Sequence, residues 1–153
     1  MASIKLRFVS HPGLFNWACQ FAQERFQFTH VEVVLPDRSL LGAMSDGVKI
    51  RPRGYDCRKF IAEAFLYVSV TEAQEKEFYE FLRVQVGKKY DFRAIWALFL
   101  TSRDWQDPDR WFCAELCAGA FIACGRFKVN PRVPVNRITV RDQWLLASAV
   151  AEV

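Results

Sequence analysis

Two side chains in this sequence could together carry out nucleophilic chemistry, although they lie far apart along the chain. The segment DRWFCAELCAGAFIACG, residues 109–125, holds Cys113 and Cys117 with Glu115 between them. Cys113 follows Trp111 and Phe112, where a helix is expected to begin. A helix start carries partial positive charge and free backbone N–H groups, which favour a thiolate and can hold an oxyanion. The acidic run DPD just upstream offers caps for that helix, and its charges would oppose a thiolate if they lay close. One turn deeper, Cys117 is expected to act as a small buried hydrophobe. The plainer reading makes Cys113 a core cysteine as well.

The chain has two histidines, so any imidazole chemistry must use His11 or His30. His11 lies in the turn-like SHPG and reads as a loop residue. His30 lies in FTHVEVVL, whose β-branched residues predict a strand. Period 2 then puts Val31, Val33 and Leu35 on one face, and His30, Glu32 and Val34 on the other. His30 and Glu32 are thus roughly 6.5 Å apart along one face. The plainer reading makes His30 a hydrogen-bonded structural residue.

A cysteine–histidine pair needs a third group to orient the ring and fix its tautomer. If PDRS closes a two-residue hairpin loop, Pro36 faces Ser39, Ser45 faces His30 and Ala43 faces Glu32, unless a bulge at Gly42 or Gly47 shifts the register. The candidate orienters are Glu32, Ser45 and Asp46. Zinc is a weaker reading: His30, Glu32, Cys113 and Cys117 are ligand types, but Cys-x3-Cys on one helix lacks a partner motif. No metal or cofactor is expected.

The elements that must position these residues are legible in outline. IKLRFVS alternates as a first strand, and HPGLFNWACQFAQERF places Leu14, Trp17, Ala18 and Phe21 at helical spacing. LLGAM, GVKIRP and EAFLYVSV read as further strands. Thr71 with Gln74 forms a capping box for a helix that buries Phe78, Phe81 and Leu82 and ends at Gly87. DFRAIWALFL, capped by Asp91, and FCAELCAGAFIACG, closed by Gly125, read as two more helices. TVRDQWLLASA reads as the last, with Thr139 as cap and Asp142 at its third position. Strands first and helices second predicts an α+β fold, an antiparallel sheet with helices packed on it.

The composition suits that fold. The chain has 153 residues, 52% hydrophobic and 25% charged, with 14 Phe and 5 Trp, which suggests one domain with a ring-rich core. Five cysteines, an odd number, fit reduced thiols better than a disulfide framework. No signal peptide or membrane span is expected, so the expected location is the cytoplasm. The net charge of +4 is spread over KIRPR, GKK and RFKVNPR, and no nucleic-acid-binding motif accompanies it.

Taken in order, these segments resemble the circularly permuted NlpC/P60 group of papain-like proteins, especially its YiiX-like branch. LFNWACQFAQERFQFTHVEVVL is similar to that group's helix followed by a [ST]-H-V-x-[IV] strand. LLGAMSDGVKIRP resembles its strand ending Glu-Ala and then Gly-Val. GKKYDF matches G-x-x-Y-D, WFCAEL matches [FY]-C-[SA]-E-L, and ITVRDQWLL resembles the closing helix. The resemblance implies a single domain over residues 1–153, with a small, often barrel-like antiparallel sheet against helices. It implies a cysteine hydrolase or acyltransferase acting on an amide or ester bond in a cell-wall peptide or lipid, with Cys113 as nucleophile and His30 as base. Members occur in bacteria and in bacteriophage genomes. The group's third polar residue falls on Gly42, so Glu32 is the first substitute orienter and Ser45 the second, and Tyr90 is placed along the cleft. The alternative is a degenerate member that only binds its ligand or partner.

Overall fold

A computed structural model describes residues 1–57, 59–92 and 109–151, the side chains of Leu14 and Phe15 excepted. Five strands form one antiparallel sheet: β1 (Ala2–Ser10), β2 (His30–Val34), β3 (Leu40–Met44), β4 (Gly47–Arg51) and β5 (Ala62–Val70), in the order β4-β3-β2-β1-β5. The alternation expected from sequence is realised. Ile4, Leu6 and Phe8 of β1, Val31 and Val33 of β2, and Leu41 and Ala43 of β3 turn to one face and are buried there. Helices α2 (Glu72–Gln85), α3 (Cys113–Ala123) and α4 (Val140–Ser148) contribute to the same core. α3 lies at its centre, which explains why its residues are apolar on every side. Rings close the packing: Trp144 of α4 meets Phe8 edge-on with centroids 4.9 Å apart, and Phe78 of α2 lies 4.6 Å from Phe121 of α3.

Both expected capping boxes form. Gln74 N donates to Thr71 Oγ1 at 3.2 Å while Thr71 N donates to Gln74 Oε1 at 3.0 Å. Thr139 and Asp142 make the same reciprocal pair at 3.2 and 3.0 Å. The short helix expected after β1 also forms. α1 (Leu14–Ala22) leaves Trp17 and Phe21 exposed and presents Asn16 and Gln20, which donate to Ser10 Oγ at 3.0 and 3.2 Å. Two cations of the basic clusters also work internally. Arg126 donates to the carbonyls of Ser69 and Val150 at 2.7 and 3.2 Å, and Arg51 donates to that of Gly42 at 3.1 Å. The helix expected over DFRAIWALFL falls almost entirely outside the described residues.

The β2–β3 register corrects the expected one by a residue. Val33 pairs with Leu41 and Val34 with Leu40. Leu35 N donates to Ser39 O at 2.9 Å and Arg38 N to Leu35 O at 2.8 Å, with Arg38 at φ 68°. The loop is therefore Pro36-Asp37-Arg38, the three-residue type that ends on a left-handed residue and fits the twist of a hairpin. Gly42, not Ala43, comes to face Glu32, and Ser45 no longer faces His30.

Candidate active site

Cys113 opens α3, and the local sequence explains how. Phe112 is the N-cap residue in extended conformation, and Glu115 reaches back to accept from Phe112 N at 3.4 Å. Phe112, not Asp109, takes the N-cap position: Asp109 lies in the turn before it, 3.9 Å from Lys88 Nζ, and Asp107 falls outside the described residues. Burial dominates the environment of Glu115 and lifts its carboxyl to about 8; the bond from Phe112 N opposes this, and the charge of Asp91 adds to it. Glu115 is then largely neutral at pH 7, which leaves the positive end of the helix dipole to the thiol. Cys117 is fully buried as expected, its thiol pushed well above the ordinary range by burial and then by the charges of Cys113 and Glu32.

His30 stands at the start of β2 with Glu32 two residues on along the same face, and its Nε2 lies 3.6 Å from Glu32 Oε2. That is an ion-pair separation, longer than a formed hydrogen bond, and Nε2 is buried with no closer partner. Burial alone would lower the imidazole pKa. The nearby Cys113 thiol and then the Glu32 carboxylate outweigh burial and raise it to about 10. Glu32 is also completely buried. Burial would raise its carboxyl, but His30 and then Arg7 hold it below the ordinary carboxylate range.

Arg7 is the hub beneath Glu32. Its Nη1 donates to Glu32 Oε1 at 2.6 Å and to Asp56 Oδ2 at 3.0 Å, and its Nε donates to Glu63 Oε1 at 2.5 Å. The loop from β4 to β5 supplies Asp56 and also Tyr55, whose hydroxyl donates to Glu32 Oε2 at 3.2 Å. Every one of these partners is remote in sequence, so no local pattern announced them.

Gly42 makes this arrangement possible. A Cβ added there would come within 2.9 Å of Glu32 Cβ, which is backbone-anchored and cannot swing aside. Gly42→Ala is expected to cost about 1–3 kcal/mol through this overlap, read as a lower midpoint in urea denaturation. The other proposed orienters sit elsewhere. Ser45 is exposed in the β3–β4 turn on the rim of the cleft, and Asp46 is engaged by Lys49, at 2.9 Å, and by Arg51.

A cleft of about 360 Å³ opens beside His30, and His11, Cys19, Ser45 and Tyr90 also line it. Tyr90 reaches the cleft because β6 (Lys89–Tyr90) runs parallel to β7 (Arg110–Trp111), just ahead of Cys113. Its phenol is pushed well above the ordinary range by burial and then by the charges of Cys113 and Cys19, so it stays a proton donor. His11, read from sequence as a loop residue, is the side chain that sequence reasoning missed. Its Nε2 lies 3.2 Å from Asp56 Oδ2, and its ring centroid is 6.1 Å from that of His30. The only signal was its scarcity, as one of two histidines in the chain. A larger concavity of about 830 Å³ shares Arg7 and Asp56 with this network but is not lined by His30, and the buried Cys113 lines neither space.

Among the described residues, no three His, Cys, Asp or Glu side chains gather as a metal site requires, and no helix is long and apolar enough to cross a membrane. Comparison with family models and with curated proteins gives no match. Among solved structures, the chain is similar to the crystal structure of the metalloprotein YiiX from Escherichia coli O157:H7, with a TM-score of 0.62 and 18% identity. The likeness covers 80% of this chain and 66% of that one, so the chain spans about two thirds of its length. At this identity the likeness establishes a YiiX-like α+β fold.

Proposed function

We propose that this protein is a cysteine hydrolase or acyltransferase of the permuted NlpC/P60 type, acting on an amide or ester bond of a peptide or lipid-type substrate. The observation that carries this reading is the buried His30–Glu32 pair, 3.6 Å apart on β2, with the helix that Cys113 opens packed against that strand. His30 takes the proton of Cys113, and the thiolate attacks the carbonyl carbon. Free N–H groups at the start of α3 are placed to receive the oxyanion. Glu32 holds Nε2, leaving Nδ1 for the thiol, and Tyr90 lines the substrate's path. Water or another acceptor then releases the acyl group. Apo active-site hydrogen bonds commonly tighten only in the substrate complex, which suits the 3.6 Å His30–Glu32 separation.

The binding-only alternative rested on Gly42. The space against Gly42 is filled by Glu32, so the polar group that position lacks is supplied by the neighbouring strand. The solved neighbour is a metalloprotein, but a resident metal does not fit this network: the Arg7 guanidinium occupies Glu32 at 2.6 Å, where a cation would need the carboxylate.

Iodoacetamide labelling read by peptide mass spectrometry tests the reading. At pH 6, Cys113 is expected to react about 10-fold faster than a free thiol, with buried Cys117 and Cys124 as internal controls, and His30→Ala should remove that advantage. A Cys113 no faster than free thiol, unaffected by His30→Ala, would sink the enzyme.

A further inference from the structure

The cleft holds a second imidazole built like the first. His30 faces the buried carboxylate of Glu32, His11 faces the buried carboxylate of Asp56, and both carboxylates are held by the same Arg7 Nη1, at 2.6 and 3.0 Å. Asp56 is only 3% exposed, so it is a fixed partner and not a passing surface contact. The His11 side chain is 24% exposed against 10% for His30, which puts it on the solvent side of the pair.

Of the titratable side chains lining the cleft among the described residues, Cys19 and Tyr90 keep their protons near neutrality. Burial, and then the charge of Cys113, lifts Cys19 to about 11, and burial likewise raises Tyr90. His11 and His30 are the other titratable side chains that line the cleft. Their ring centroids stand 6.1 Å apart.

We propose that His11, oriented by Asp56, is a second catalytic residue: the general base that takes the proton of the acceptor when the acyl group leaves Cys113. This rests on Cys113 being the nucleophile. With p-nitrophenyl acetate as probe, the Cys113 thiolate bonds the acetyl carbon, and nitrophenolate departs with the electron pair of the broken C–O bond. A nitrophenolate needs no proton to leave, so His30 keeps its own, held by Glu32, and cannot accept one from water. A water oxygen then bonds the acetyl carbon while His11 takes its proton. The C–S bond breaks with its pair on sulfur, which restores the thiolate beside protonated His30, and His11 passes its proton to solvent.

The test uses the full chain and p-nitrophenyl acetate, following nitrophenolate release by stopped flow and the protein by mass spectrometry. His11→Gln keeps an amide N–H for Asp56 but cannot carry a proton. It should give one rapid equivalent of nitrophenolate, accumulate acetylated Cys113, and turn over about 100-fold more slowly than the unmodified chain. Free imidazole should restore turnover to His11→Ala. Wild-type turnover in His11→Gln, with Cys113 acetylated normally, would overturn the role of His11 alone. Failure of the unmodified chain to acetylate Cys113 would overturn the nucleophile, and this role with it.

Discussion

Methionine in place of Arg7 is expected to lower the free energy of unfolding by about 3–5 kcal/mol, the usual cost of removing one partner from a buried ion pair. Arg7 is 4% exposed and is paired with three carboxylates, of which Glu32 is 0% and Asp56 3% exposed. Methionine fills much of the same volume, so the loss is electrostatic and leaves no large cavity. For a chain of this size the shift in Tm should be roughly 6–20 °C, measured by calorimetry or circular dichroism. Arg7→Lys should fall between the two, because an ammonium keeps the charge but cannot spread its donors over three acceptors. Acidification should narrow the gap between Arg7→Met and the parent, since protonating Glu32 removes a charge left without its partner. A change within about 0.5 kcal/mol, the range of an ordinary surface substitution, would mean that water reaches the network.

Glu32→Gln is expected to reduce turnover of an acyl ester by about a thousandfold while leaving the fold in place. The amide keeps the shape of the carboxylate but not its charge, so the imidazolium of His30 loses one of the two partners that hold it against burial. The His30 pKa should fall, so the ring should give up its proton at a lower pH than in the parent. The sign follows from the shift. His30 folds with a pKa of about 10 against an ordinary 6.5, so its interactions stabilise the protein fully below pH 6.5 and are lost as pH rises through 10. In Glu32→Gln that alkaline loss should shrink. An NMR titration of the His30 ring nitrogens measures the shift directly, and denaturation at pH 7 and pH 10 measures its effect on stability. A His30 midpoint unchanged by Glu32→Gln would rule out Glu32 as the group that holds the ring.

Much of the fold was legible because its causes are local. Thr71 with Gln74 and Thr139 with Asp142 start their helices using residues three positions apart, and both boxes form. Strand alternation alone put His30 and Glu32 on one face, because period 2 follows from the pleat of a single strand. FCAELCAGAFIACG likewise read as a helix, and α3 forms over Cys113–Ala123.

The sequence by itself determined the strands and caps, the shared face of His30 and Glu32, and the start of a helix at Cys113. Tertiary structure decided the rest. A loop one residue longer than expected, with Arg38 at φ 68°, set Gly42 against Glu32. Arg7 reaches Glu32, Asp56 and Glu63 across 25, 49 and 56 residues, and His11 reaches Asp56 across 45. Caps and strand faces depend on neighbours a few residues away, whereas a buried charge is held by whatever the folded sheet brings beside it.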